Sequence, residues 1–119
     1  MSIKDMFLRA RDNYVIDQVR RVKLPGFRSF QNKRYRLVFS GRVQHVGFRL
    51  EVSELAKRLG LTGFCQNMPN GDVLVEVQGQ SDKIRFLVAF MKSLKRIQIK
   101  NLDKKRLKLK LDETGFVKL

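Results

Sequence analysis

The stretch "RYRLVFSGRVQHVGFRLEVSELAKRLG", residues 34–60, changes its period halfway along. Tyr35, Leu37 and Phe39 alternate, which predicts a strand with one apolar face. From Phe48 onward, Val52, Leu55, Ala56 and Leu59 share one helical stripe, and Gly60 is a natural stop. Between the two lies "SGRVQHVGFR", residues 40–49, with two glycines, two arginines, a glutamine and the only histidine of the chain. Amide N–H groups at a helix start lack intrahelical partners and sit at the positive end of the helix dipole. A glycine-bearing turn there can aim several of them at one point, which suits an oxyanion such as a phosphoryl group. Arg49, in the first helical turn, adds a permanently charged fork. Many strand-to-helix turns carry glycine for steric reasons alone, so the loop by itself is a weak signal.

The rest of the chain extends this beginning. "LTGFCQN", "MPNG" and "DVLVEVQG" read as two strands around a Pro-Asn-Gly turn, with Val73, Val75 and Val77 on one face. A second helix is expected from Ser81, its cap, to about Lys95, with Ile84, Leu87, Val88 and Met91 as its stripe. Ile97 and Ile99 begin a further strand, and Leu107, Leu109 and Leu111 a second register after a turn or bulge near Asn101 to Lys104. "GFVKL" closes the chain as a short strand. Strand, helix, strand, strand, helix, strand is the split βαβ order of an α+β fold, a largely antiparallel sheet with two helices on one face.

Residues 1–33 stand apart as an N-terminal helical arm, with a second unit from residue 34 to 119. Ser2 could cap the arm helix, which should end before Pro25 and Gly26. Ile3, Met6, Phe7, Ala10 and Tyr14 form its apolar stripe, expected to pack on the parent domain or on a second copy, with a membrane surface as the lesser alternative.

Composition sets the outer bounds. At 119 residues and 43% apolar the chain suits one folded domain. A single cysteine allows no intramolecular disulfide and fits a reducing, cytoplasmic setting, and no apolar run is long enough to span a bilayer. The formal charge of +15 would attract phosphate-bearing partners of any kind. Residues 95–110 carry eight basic side chains against Asp103 alone, which reads as a solvated edge strand kept from pairing by lysine. "DVLVEVQG" offers no aromatic for base stacking, which argues against the usual RNA-binding mode.

The loop, Arg49 and the segment "GFCQNMPNGDVLVEVQG" together resemble the acylphosphatase family, from about Tyr35 to Leu119. That family carries Gly-Arg-Val-Gln-Gly-Val-x-Phe-Arg, then a helix, then Gly-Trp/Phe-Val-x-Asn before a turn and a strand. The resemblance implies a ferredoxin-like hydrolase of acyl phosphates that uses no metal, no cofactor and no covalent intermediate. Its partners would be a small acyl phosphate and inorganic phosphate. It further implies that Arg49 and the backbone amides of His45, Val46, Gly47, Phe48 and Arg49 bind the phosphoryl group, and that Asn67 orients the attacking water. Singly, these residues have plainer readings: Asn67 as a turn residue, Arg49 as a solvated arginine, Gln44 as loop filler, Cys65 as a small buried hydrophobe.

His45 departs from the family pattern, which has glycine there. If the loop needs positive φ at that position, histidine costs about 1–3 kcal/mol of strain. The imidazole could also narrow the pocket or add charge when protonated. The alternative function is therefore a catalytically weak or inactive domain of this fold that binds phosphate or nucleic acid.

Overall fold

The computed structural model describes residues 1–28 and 31–119; Ser29 and Phe30 of the expected arm lie outside the described residues. In chain order the elements are α1 (Ile3–Arg21), β1 (Asn32–Arg42), α2 (Phe48–Arg58), β2 (Thr62–Asn67), β3 (Val73–Gln80), α3 (Ser81–Ser93), β4 (Gln98–Leu107) and β5 (Phe116–Lys118). The strands form one sheet in the order β4-β1-β3-β2-β5. β1 pairs antiparallel with β3 and β4, β2 antiparallel with β3, and β5 parallel with β2. This is the ferredoxin-like arrangement, a mixed sheet in which only β5 breaks the antiparallel pattern.

Alternation decides which face is covered. Leu37, Phe39, Cys65, Val73, Val75 and Val77 are buried under α2 and α3, whose Phe48, Val52, Leu55, Ile84, Leu87 and Met91 complete the core. The basic strand β4 is an edge, as its lysines predict, and those lysines are exposed. Ser40 faces Asn101 but Gly41 faces Ile99, so Lys100 is unmatched and the bulged strand β4 bends opposite Gly41, just before the loop. The bulge falls one residue ahead of the segment expected to hold it. At Gly41, with φ 118°, a Cβ would lie 2.3 Å from the Gln98 carbonyl oxygen, so only glycine fits this bend.

Three expectations need correction. The stripe Ile3, Met6, Phe7, Ala10 and Tyr14 does not pack on the parent domain; Phe7 is 72% exposed. The helix carries a second apolar row, and Val15 and Val19 of that row are buried in the shared core. Polar anchors select this side. The Arg58 guanidinium donates to the carbonyls of Val19 and Val22, satisfying the C-terminal end of α1. Second, Ser81 lies inside α3, and Gln80 is the cap residue. Third, no strand follows Leu107 in the 107–111 register, and Leu109 and Leu111 are exposed. That segment instead crosses the open sheet face, where the Gln78 amide both accepts from Lys110 N–H and donates to its carbonyl, each at 2.8 Å. Alternating leucines describe an extended chain equally well with or without a neighbouring strand.

The strap is pinned further along by Arg34, only 1% exposed although it lies on the open face. Its guanidinium makes two bonds to Glu113, at 2.7 and 3.1 Å, and a third to Glu76 at 3.0 Å. Burial alone would raise the Glu113 carboxyl; the bonds from Arg34 and Thr62 outweigh it and hold the group below its ordinary value of 4.5. A carboxyl lowered on folding contributes stability that is present above its unfolded value and lost as pH falls through its folded one.

Two measurements test this packing. Val15→Ala should lower stability by about 1–2 kcal/mol, while Phe7→Ala should stay within about 0.5 kcal/mol, in urea unfolding. The reverse order would mean that the exposed stripe is the packed one. Glu113→Gln should destabilise by about 1–3 kcal/mol at neutral pH, with the gap to the native chain closing below about pH 4.5. A gap independent of pH would remove the ion pair as its cause.

Candidate active site

The loop between β1 and α2 contains the only positive-φ non-glycine residue among the described residues: His45, at 62°. Gly47 follows at 81° as the residue before the first turn of α2. Two left-handed residues in three turn the chain back on itself, and the carbonyls this exposes are claimed from outside. Arg96 Nε donates to the Val46 carbonyl at 2.6 Å, and Arg11 Nη1 reaches the His45 carbonyl at 3.5 Å. Because a trans peptide is planar, with N–H opposite to C=O, fixing these carbonyls aims the Val46 and Gly47 amides the other way. The amides of Phe48 and Arg49 lie in the first turn of α2, where no intrahelical acceptor exists. A Cβ on Gly47 would sit 3.3 Å from Arg11 Nε and 3.6 Å from Arg96 Nη2, so glycine is what lets both arginines converge.

Arg96 is itself anchored by Glu51, one turn into α2 and fully buried, at 3.0 Å. Burial pushes the Glu51 carboxyl above its ordinary value, against the pull of Arg96. The pair between this buried carboxylate of α2 and Arg96, from the segment between α3 and β4, thus braces the loop from below. Gln44 fixes it from the side. Its Nε2 donates to the carbonyls of both Met68 and Asp72, each at 2.8 Å, tying the loop to the β2–β3 turn.

The sequence-predicted residues meet here. Arg49 and Asn67 are half-buried and, with His45, Gly47 and Phe48, line one cavity of about 470 Å³. Val46 instead turns its side chain into the core, as does most of the Phe48 ring, packed 4.9 Å from Phe39. Arg49 Nη1 donates to the Leu119 backbone oxygen at 2.5 Å, which orients the guanidinium and occupies one of its five donors. Asn67 ends β2, paired with Val73, on the strand edge nearest the stapled turn. The Cys65 thiol donates to the Arg49 carbonyl at 3.6 Å, and burial pushes its pKa to about 11 despite nearby Arg49. It is therefore an un-ionised structural group, as its sequence context suggested.

Sequence reasoning missed the supports. Gln44 stood as filler, and nothing marked Arg96 or Glu51, which are distant in the chain and meet only on folding. Arg11 and the opening turns of α1 were equally unforeseen as cavity lining, together with Lys118 of β5. No periodicity in the arm reports contact with a loop more than 30 residues away.

The Acylphosphatase family model matches residues 35–118. An acylphosphatase of Clostridium beijerinckii is 44% identical over 59 residues, half of this chain and 66% of the relative. One from Methanospirillum hungatei is 32% identical over 72 residues, covering 59% of this chain and 79% of that protein. The solved structure of an acylphosphatase from Coxiella burnetii superposes with a TM-score of 0.68 at 27% identity, over 74% of this chain and 93% of that one. The helix α1 precedes the matched region.

The backbone at His45 generates a prediction. His45→Gly should raise stability by about 1 kcal/mol, because glycine enters the left-handed region without a Cβ penalty. Denaturant titration of the two proteins would show it. A loss of stability instead would mean that the imidazole makes a contribution larger than its strain.

Proposed function

The chain belongs to the acylphosphatase family, and on that premise we propose that it hydrolyses acyl phosphates to a carboxylate and inorganic phosphate. The observation that carries the reading is the shared cavity: Arg49, Asn67 and the left-handed loop meet in one pocket. The phosphoryl group would sit at the start of α2, against the amides from His45 to Arg49 and the Arg49 guanidinium. Amides there carry the positive end of the helix dipole, and the guanidinium adds charge in a planar fork.

Asn67 would hold a water in line with the bond to be broken. As the water oxygen bonds to phosphorus, the bond from phosphorus to the carboxylate oxygen breaks and its electron pair leaves with the carboxylate. The water proton passes to a phosphoryl oxygen. A carboxylate is a stable leaving group, so this step asks for positioning and charge stabilisation and not for a strong acid. A neutral amide is sufficient to orient the water, and an un-ionised Cys65 has no part in it.

Asn67→Ala should lower turnover of benzoyl phosphate on the order of a hundredfold or more, with competitive inhibition by inorganic phosphate nearly unchanged. Arg49→Lys should weaken phosphate inhibition as well, since lysine supplies a point charge without the fork and gives up the Leu119 contact. Phosphate release assayed with the native chain and both variants checks the assignment. Full activity in Asn67→Ala would falsify its role, and undiminished phosphate inhibition in Arg49→Lys would relocate the anion site.

A further inference from the structure

We propose that the outer edge of β4, with the cleft between it and α3, is a docking site for an extended acidic segment of another protein, taken up as an added strand. β4 is the last strand on its side of the sheet and pairs with β1 alone. Among the described residues no backbone hydrogen bond reaches its outer edge. Over the ten residues of this strand, every second N–H and C=O is therefore open to a partner. The cleft beside it, of about 370 Å³, has an apolar floor of Ile84 and Val88 from α3 and Leu102 from β4. Arg85, Lys92 and Lys104 rim it, all three exposed, and no carboxylate lines it. None of the three is ion-paired among the described residues.

Charge selects the occupant. β4 carries Lys100, Lys104, Lys105 and Arg106 against Asp103 alone. A second copy would lay this row against itself, on chains of formal charge +15, and like charges directly opposite destabilise a strand pair. The lysines that keep the edge from pairing with its own kind therefore favour an acidic strand. A nucleic-acid backbone would answer the cations but leave the floor of Ile84, Val88 and Leu102 uncovered. Register then gives the pattern of the segment. Leu102 packs against the core, and Lys104 Nζ lies 4.2 Å from the centre of the Tyr35 ring, so both side chains stand on the helix-covered face. Arg106 faces Tyr35 in the ladder and shares that face. Residues opposite one another on paired strands project to the same side. An added strand thus sets an apolar side chain opposite Leu102, over the cleft, and carboxylates two and four residues further along, opposite Lys104 and Arg106. None of these residues lines the cavity at the loop, so docking and hydrolysis are separable by mutation.

A peptide that reads alike in both directions tests this: a central valine, glutamates two and four residues to either side, threonines between, and both ends blocked. Its fluorescently labelled form should rise in anisotropy with the full chain, and bind more weakly as salt is raised. N-methylation of the valine and the following threonine removes one N–H from each edge of the peptide while keeping every charge and side chain. It should weaken binding about tenfold or more. Lys104→Glu should weaken binding about fivefold, whereas Lys57→Glu, the same change of charge on an exposed residue of α2, should leave it within about twofold. No rise in anisotropy at low salt would overturn the proposal. So would an N-methylated peptide that binds as tightly as its parent, or equal losses in the two variants, which leave only the diffuse field of a basic protein. Oligo(dT) bound more tightly than the peptide, and lost in Lys104→Glu, would hand the edge to nucleic acid. A dimer of the native chain dispersed by Lys104→Glu would hand it to a second copy, and either result overturns the acidic strand.

Discussion

The peptide groups on either side of Val46 are the constraint on which this molecule depends. His45 and Gly47 are both left-handed, and such a turn leaves carbonyls that a folded chain must satisfy. Arg96 holds one and Arg11 the other, while Gln44 ties the same loop to the β2–β3 turn. Each support comes from a different part of the chain. The loop is thus held from α1, from the β2–β3 turn and from the segment before β4. Strain at His45 is tolerable because this many contacts over-determine the backbone around it.

A second line of contacts runs to the same place through the end of the chain. Arg34, buried on the open sheet face, grips Glu113 and so draws the strap across β3. The strap delivers β5 to the edge of β2, where Leu119 N–H donates to the Cys65 carbonyl at 2.8 Å and the Leu119 oxygen receives Arg49. An ion pair on one face of the sheet thereby fixes the direction of a guanidinium at the other end of the fold.

The arm joins these two systems. Its valines enter the common core, its C-terminal carbonyls are held by Arg58, and its first turns close one side of the cavity. It lies before the region matched by the family, yet it is packed as part of the body. The apolar stripe it turns outward is exposed, and it is separate from the row that anchors the helix.

By itself the sequence determined much of what depends on local period and turn chemistry. Alternation placed β1 and β3, the helical stripes placed α2 and α3, and Gly60 and the Asn70-Gly71 pair ended their elements where the structure ends them. The family resemblance carried by residues 41–49 and 63–79 also singled out Arg49 and Asn67, which share a cavity. What only the tertiary structure decided is long-range. Two apolar rows compete on α1, and periodicity cannot rank them; carbonyl acceptors for Arg58 and Arg11 settled the choice. Leu107 to Leu111 looked like a strand because alternation does not record whether a neighbour exists to pair with. The φ of His45 and the roles of Arg96, Glu51 and Gln44 were hidden for the same reason. Each rests on a hydrogen-bond partner brought near by folding, and a partner 24 to 50 residues away leaves no mark on local pattern.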